Sequence, residues 1–199
     1  MKKKELELKL QEFEGFDQPK ADLEQYMTPP ELASSVLWSI YLRGEIQDKR
    51  IYDLGCGVGT LGIGAKLLGA DEVVCIDVDE EAVRVAKENA KKTGVDIEFR
   101  CSDIREVSGS ADLVIQNPPF GSQKRGSDRP FIEKSLEIAS VVYSFHMTET
   151  EGFVEEYVEE HGADIALKEE LSFPLKRTMP WHEKDVETIE VTLYRFERA

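Results

Sequence analysis

A five-residue segment in the middle of the chain combines an amide, two prolines and an aromatic ring. Asn117-Pro118-Pro119-Phe120-Gly121 follows the mainly apolar run 112–116. Two prolines end a strand and stiffen the turn, so the Asn117 side chain and the Pro118 carbonyl are held in one geometry. Both oxygens can accept hydrogen bonds from a single planar NH2 group. The ring of Phe120 offers a face on which an aromatic ring bearing that group can stack.

The chemistry that this segment favours is methylation of an exocyclic amine. The lone pair of an aryl or amide nitrogen is delocalised. Two acceptors that hold its protons favour a pyramidal nitrogen whose lone pair points at an electrophilic methyl group. Positioning supplies most of the catalysis, and no strong general base is required. If the amine belongs to a paired nucleobase, the base has to leave the duplex first.

A glycine-rich loop is the second segment that could do chemistry. Asp53-Leu54-Gly55-Cys56-Gly57-Val58-Gly59 starts at the end of a short apolar strand, and Asp77 ends the next strand. Glycines let the backbone approach a ligand closely and adopt positive φ. Asp77 is placed to accept hydrogen bonds from both ribose hydroxyls of a nucleotide. The pattern therefore predicts a nucleotide-like cofactor bound against Gly55, Gly57 and Gly59.

Two cofactors fit this loop. Residues 57–62 also match the G-x-G-x-x-G pattern of dinucleotide-binding proteins, with Asp77 at the required distance. Asp53 favours S-adenosylmethionine, because a carboxylate can organise the loop and meet a cationic amino-acid end, whereas a pyrophosphate gains nothing from a neighbouring carboxylate. Asp103, after the third apolar strand, is placed to accept from an adenine amino group. A turn or N-cap role fits Asp103 equally well.

The elements that must position these residues alternate between strand and helix. The pattern predicts strands over 51–54, 73–76, 97–101, 113–115, 141–145, 164–173 and 186–196, and helices over 30–42, 61–68, 79–94, 130–139 and 151–160. Such alternation predicts an α/β fold with a mostly parallel seven-stranded sheet, helices on both faces and ligands at the carboxyl ends of the strands. The last two strands lack a clear helix between them, which predicts an antiparallel C-terminal hairpin.

Composition bounds the class of protein. The 199 residues, 41% of them hydrophobic, can fill one core, and a formal charge of -15 argues against a protein that holds nucleic acid through a generally basic surface. More than half of that charge lies in residues 149–170, which carry nine acids and one base. The three cysteines are widely spaced and suggest neither a disulfide framework nor a zinc site, which fits a reducing cytoplasm. No apolar stretch approaches the roughly 18 residues of a membrane span.

The motifs resemble those of the class I S-adenosylmethionine-dependent amino-methyltransferases. More closely, 24–29 (Glu-Gln-Tyr-Met-Thr-Pro), 53–59, 117–121, 143–146 (Tyr-Ser-Phe-His) and 189–191 together resemble the methyltransferase-like protein five family of small-subunit rRNA adenine N6-methyltransferases. The resemblance runs from the N-terminal arm to the last strand. It implies a Rossmann-like methyltransferase domain over 51–199, a helical arm over 1–50 that covers the cofactor, and cofactor contacts from Gln25, Tyr26 and Thr28.

The same resemblance implies a partner and an RNA substrate. The partner is a small zinc-binding activator protein that pairs along the strand Ile97 to Cys101 as added sheet edge. Two basic segments should rise at the active end of the sheet, and they predict RNA contacts from Lys124, Arg125, Arg129, Lys176, Arg177 and Trp181. The second segment is less lysine-rich than in the family, and the overall charge of -15 predicts weak unaided RNA binding.

Three alternatives remain open from the sequence. A protein glutamine side chain presents the same NH2 group, although the enzymes that methylate it usually carry tyrosine at the position of Phe120 and a longer N-terminal domain. A nicotinamide-dependent oxidoreductase would explain the glycine pattern but not residues 117–120. A non-catalytic RNA-binding or assembly scaffold would explain neither motif.

Overall fold

Seven strands form one sheet in the order β3-β2-β1-β4-β5-β7-β6. The computed structural model describes residues 1–121, 126–176 and 186–198. The strands are β1 (Arg50–Leu54), β2 (Glu72–Asp77), β3 (Glu98–Cys101), β4 (Ala111–Gln116), β5 (Ala139–Met147), β6 (Ala163–Lys176) and β7 (Val186–Arg198). β1 to β5 pair in parallel, and β7 is antiparallel to both β5 and β6. The predicted α/β fold with its antiparallel C-terminal pair is confirmed.

Helices cover both faces of the sheet. They are α1 (Lys3–Gln11), α2 (Pro30–Leu42), α3 (Thr60–Leu67), α4 (Glu80–Thr93), α5 (Arg129–Ile138) and α6 (Glu151–Glu160). Successive strand residues point to opposite faces. Ile51 and Cys75 therefore join a cluster that holds the apolar residues of α1, α2 and α3, while Tyr52 and Val74 join a cluster that holds those of α5 and α6.

Helix boundaries follow the capping chemistry of the sequence. The Asp79 side chain accepts a hydrogen bond from the backbone N–H of Glu81 at the start of α4, and Gly94 ends the same helix at a φ of 71°. Pro30 occupies the first turn of α2, where no backbone N–H is needed. These starts and stops agree with the predicted helix limits to within one or two residues.

The N-terminal arm shares the core of the sheet. Leu6 and Leu10 of α1 and Leu37 and Ile40 of α2 are fully buried in the same cluster as β1 and β4. Among the described residues, no helix is long and apolar enough to cross a membrane. The chain between α1 and α2 then runs over the carboxyl ends of the strands, where the candidate site lies.

Sheet order fixes the position of that site. β1 lies between β2 and β4, so the strand order reverses at β1, which is where open α/β sheets bind ligands. In the parallel pairing of β1 with β4, Leu54 is opposite Gln116. The glycine loop that follows β1 and the Asn117 turn that follows β4 therefore leave the sheet side by side.

Candidate active site

A cavity of about 400 Å³ opens at the carboxyl ends of β1, β2 and β4. This volume falls within the range of about 300–1,000 Å³ that small-molecule sites occupy. Its walls are the glycine loop, the ends of the strands and the arm segment. The predicted residues among them are Gln25, Tyr26, Thr28, Asp53, Gly55, Gly57, Asp77, Asp103, Asn117 and Pro119. The fold thus brings both sequence motifs and the arm to one cavity.

Backbone conformation explains the glycines of the loop. Gly57 has a φ of 52°, and a methyl group added to it would lie 2.9 Å from the ring of Phe16, a residue of the arm. Gly59 has a φ of 86° at the N-cap of α3. Side chains at either position would be strained, because positive φ is costly for residues with a Cβ. The loop therefore exposes bare backbone to the cavity.

The Asp53 carboxylate organises the loop from below. It is only 1% exposed and accepts a hydrogen bond of 2.7 Å from the backbone N–H of Gly62 in α3. Burial raises the pKa of Asp53 to about 7, and the nearby Asp77 charge adds to the effect. A cationic ligand group beside it would relieve this cost, as the sequence predicts for a cationic amino-acid end.

Asp77 ends β2 at the rim of the same cavity. Its two carboxylate oxygens accept from the backbone N–H groups of Gly57 at 2.8 Å and Asp79 at 2.9 Å. Burial raises its pKa, and these two hydrogen bonds act in the opposite direction. Each oxygen keeps a further lone pair, so the carboxylate can still accept from a diol.

Asp103 caps a short helix and also lines the cavity. It precedes a short 3-10 helix, Ile104–Glu106, and accepts from the backbone N–H of Arg105 at 2.9 Å. The Arg105 guanidinium also bonds it and lowers its pKa to about 2. The residue is an N-cap, and it is also an ionised acceptor in the cavity wall.

The arm segment is tied to the N-terminus of α4. Gln25 accepts from the backbone N–H of Lys20 at 2.8 Å and donates to Asp79 at 2.6 Å, and the Lys20 ammonium lies 2.6 Å from the same carboxylate. Burial raises the pKa of Asp79, but the hydrogen bonds from Lys20 and Gln25 outweigh it and lower the pKa overall. These bonds hold the arm across the mouth of the cavity.

The Asn117 amide has one satisfied end and one unsatisfied end. Its Nδ2 donates to the Thr28 hydroxyl at 3.1 Å. Its Oδ1 is buried and has no hydrogen-bond partner among residues 1–121, 126–176 and 186–198. A buried polar atom without a partner is uncommon in folded proteins and calls for a ligand or another explanation. An acceptor oxygen in this position fits an incoming NH2 group.

A second cavity of about 520 Å³ adjoins the first. Tyr26 and Gly126 line both cavities, and Phe120 lines the second. Phe120 is held edge-on against Phe173, with ring centroids 6.0 Å apart. Because Asn117 lines the first cavity and Phe120 the second, the four-residue motif spans the boundary between them.

Arg129 places a positive charge in the second cavity. Its guanidinium lies 4.8 Å from the centroid of the Phe153 ring and 5.6 Å from that of Tyr157. Of the other predicted RNA contacts, Lys176 is the last residue of β6. Lys124, Arg125, Arg177 and Trp181 lie outside the described residues.

A buried polar chain behind the turn is absent from the site predicted from the sequence. Nε2 of Gln116 donates to Ser144 at 3.0 Å, Ser144 bonds His146 at 2.8 Å, and His146 lies 3.4 Å from the Asp128 carboxylate. Asp128 also lines the second cavity. The signal was present in the sequence, because Ser144 and His146 are polar residues at period two within residues 141–147 of β5, which are otherwise apolar or aromatic.

The residues of the first cavity fit S-adenosylmethionine. The bare loop backbone and the buried Asp53, whose pKa is raised to about 7, match its amino-acid end, and the acceptor at Asp77 matches its ribose. The Asn117 oxygen, without a partner among the described residues, matches the amine that receives the methyl group. A pyrophosphate bound against the loop would instead meet the Asp53 carboxylate with like charge, whereas Asp77 suits the ribose of either cofactor.

Comparison with known proteins agrees with this reading of the cavity. Residues 31–139, more than half of the chain, match the methyltransferase small domain family. A magnesium protoporphyrin IX methyltransferase from Synechocystis, crystallised with bound S-adenosylmethionine, shares the fold with a TM-score of 0.69 at 19% identity, over 84% of this chain and 78% of that one. The chain therefore belongs to the methyltransferase small domain family.

Closer relatives define the branch. The rRNA N6-adenosine-methyltransferase METTL5 of Danio rerio is 36% identical, over 98% of this chain and 99% of that protein. The protein PH1948 of Pyrococcus horikoshii, described as a candidate RNA methyltransferase, is 42% identical with a TM-score of 0.93, over 100% of this chain and 98% of that one. The chain belongs to the METTL5 family, as its motifs indicated.

Proposed function

We propose that this protein methylates N6 of an adenosine in small-subunit ribosomal RNA. The observation that carries the proposal is the buried, unpartnered Oδ1 of Asn117, which lies where the cofactor cavity meets the cavity lined by Phe120. An adenine that stacks on Phe120 can donate a hydrogen bond from its amino group to this oxygen. The rRNA adenosine specificity of the METTL5 relative supports the same substrate.

Positioning accounts for the chemistry that the chain supplies. S-adenosylmethionine, when bound, provides the electrophilic methyl group. Oδ1 of Asn117 and the carbonyl of Pro118 accept hydrogen bonds from the two N–H groups of the amine. These bonds localise the nitrogen lone pair and aim it toward the first cavity. The prolines fix the turn, so the acceptors do not have to reorganise as the reaction proceeds. Phe120 fixes the plane of the base.

The second cavity suits an unpaired base better than a peptide side chain. Phe120 and Phe153 supply aromatic surface, and Arg129 supplies a guanidinium that can meet a phosphate. Base stacking contributes about 1–3 kcal/mol. The overall charge of -15 opposes long-range attraction to RNA, so affinity has to come from these local contacts or from a partner.

A zinc-binding activator protein is the partner that we propose for the free edge of the sheet. β3 is hydrogen-bonded to β2 on one side and ends the sheet on the other, and its first and last residues, Glu98 and Cys101, are exposed. An unpaired edge can accept a strand from another chain. Two purified proteins that elute as separate species at micromolar concentration would argue against this pairing.

We propose a reducing cytoplasm as the location of the protein, which fits the free Cys56, Cys75 and Cys101. Cell fractionation tests this location.

The decisive experiment measures methyl transfer to small-subunit rRNA by the wild-type protein and by Asn117→Ala, with and without an activator protein. We expect labelled N6-methyladenosine after nucleoside digestion of the wild-type product. For Asn117→Ala we expect kcat to fall by at least about 100-fold, because the reacting amine loses the Oδ1 acceptor. S-adenosylmethionine affinity should change less than about threefold, which shows that the cavity is intact.

Other outcomes separate the alternatives. Label recovered in glutamine of a ribosomal protein, with none in adenosine, would replace the RNA substrate by a protein one. Full activity of Asn117→Ala would refute the proposed mechanism while leaving the enzyme class in place.

A further inference from the structure

Two polar residues that precede proline pairs meet at the centre of the site. Thr28 is followed by Pro29 and Pro30, and Asn117 is followed by Pro118 and Pro119. They are 89 positions apart, yet the Asn117 amide nitrogen donates to the Thr28 hydroxyl at 3.1 Å. A residue before proline is restricted to extended conformations, so neither backbone can easily move away from the contact.

The direction in which the Asn117 amide faces decides whether the site can work. With Nδ2 on Thr28, the buried Oδ1 remains available as an acceptor. With the amide turned over, an NH2 group would face the NH2 group of the substrate, and two donors cannot hydrogen-bond to each other. The Thr28 hydroxyl can accept from Nδ2 or donate to Oδ1, so the substrate amine, which needs an acceptor, selects the reactive orientation, and Thr28 satisfies Nδ2 in that orientation.

The Thr28 side chain is itself held in place. Thr28 is 5% exposed. On one side of it along the chain lies Gln25, which is hydrogen-bonded to Asp79, and on the other side lies the first turn of α2. The oxygen that accepts the hydrogen bond from Asn117 thus occupies a fixed point on the arm. One hydrogen bond links the position of the arm over the cofactor cavity to the alignment of the amide.

We propose that Thr28 is a positioning residue for methyl transfer, which accepts from Nδ2 of Asn117 and so anchors the amide while its oxygen faces the acceptor amine. This role rests on the proposed function and differs from contact with the cofactor, which the sequence predicts for the same residue. A cofactor contact would appear in the affinity for S-adenosylmethionine. Orientation of the amide appears in kcat.

The test compares Thr28→Val, which keeps the shape and removes the hydroxyl, with Thr28→Ser, which keeps the hydroxyl. With both substrates saturating, we expect kcat of Thr28→Val to fall about 10-fold to 100-fold, the range for a buried donor left without its acceptor. Thr28→Ser should stay within about threefold of the wild type. The dissociation constant for S-adenosylmethionine, measured by calorimetry, should change less than threefold in both variants.

A matched control removes a buried threonine hydroxyl elsewhere. Thr192 is fully buried on β7, and its hydroxyl bonds that of Thr148 at 3.1 Å. Thr192→Val should keep kcat within about twofold. A loss in Thr28→Val that matches the loss in Thr192→Val would overturn the proposal, and so would a loss confined to cofactor affinity.

A second measurement uses single turnovers with enzyme in excess, which report the chemical step without product release. We expect Thr28→Val to slow this step by the same factor of about 10-fold to 100-fold. An unchanged single-turnover rate would overturn the proposal. If the wild-type protein methylates no adenosine, the proposed function fails first and this role falls with it; if it does and Thr28→Val retains kcat, only the role of Thr28 fails.

Discussion

Asp53→Asn is expected to stabilise the cofactor-free protein at pH 8 while weakening cofactor binding. The substitution removes a buried charge and keeps an oxygen that can accept from the backbone N–H of Gly62, now at 2.7 Å from the carboxylate. Burial raises the pKa of Asp53 from 3.8 to about 7. Between these two values the folded state holds a proton that the unfolded state has released, so stability falls as pH rises through this window and the full cost is present above pH 7.

The magnitude follows from that pKa. Each tenfold change in proton affinity is worth about 1.4 kcal/mol, which sets an upper limit of about 4 kcal/mol for the cost of the ionised Asp53. Burial of the new amide NH2 offsets part of the gain. We expect Asp53→Asn to raise the free energy of unfolding by about 1–3 kcal/mol at pH 8, and by about 2 kcal/mol less at pH 5. For a chain of this size, 1 kcal/mol corresponds to roughly 2–4 °C in Tm.

Urea unfolding of the cofactor-free protein at pH 5 and pH 8 measures the effect, and calorimetry with S-adenosylmethionine measures the accompanying loss of affinity, expected to be tenfold or more. Asp103→Asn is the matched control. Arg105 lowers the pKa of Asp103 to about 2, so removal of that charge should give no gain at pH 8. Destabilisation by Asp53→Asn at pH 8, or the same change in stability at both pH values, would refute the reasoning.

Two further predictions concern packing and RNA binding. Gly62→Ala should lower the free energy of unfolding by about 1–3 kcal/mol in thermal or urea melts, because the added methyl overlaps Sγ of Cys75 and crowds the carboxylate of Asp53. The control Gly152→Ala, where the added methyl has nothing within 4 Å, should be neutral or stabilising. Equal effects of the two substitutions would contradict the overlap. Arg129→Ala should raise the KM for RNA about threefold to tenfold and flatten its salt dependence in methyl-transfer assays without changing cofactor affinity, whereas an unchanged KM would remove Arg129 from the RNA site.

The parts of the site that the sequence predicted are those whose chemistry is local. The glycine loop needs small residues because of its own φ angles and the close approach of Phe16, and the Asn117 turn owes its geometry to the two prolines beside it. Asp79 and Gly94 mark the ends of α4 for equally local reasons. Such features leave a signature within a few residues.

The parts that the sequence did not predict depend on distant pairings. Alternating apolar residues identify β6 and β7 as strands, but they do not say that β7 lies between β5 and β6. The bond between Thr28 and Asn117 likewise joins segments 89 positions apart. The observed β6 runs three residues beyond its predicted end, because backbone pairing with β7 continues through Pro174 to Lys176.

The place of β7 in the sheet imposes an order on the biogenesis of the protein. Residues 163–176 leave the ribosome before residues 186–198, yet their strand has no neighbour in the sheet until the later segment lies against β5. Until then the edge of β5 is unpaired and β6 has no partner strand. Unpaired strand edges can pair with other chains and so lead to aggregation. The nine acids of residues 149–170, several of them on α6 and β6, give this segment a negative net charge, and like charges on two copies repel each other.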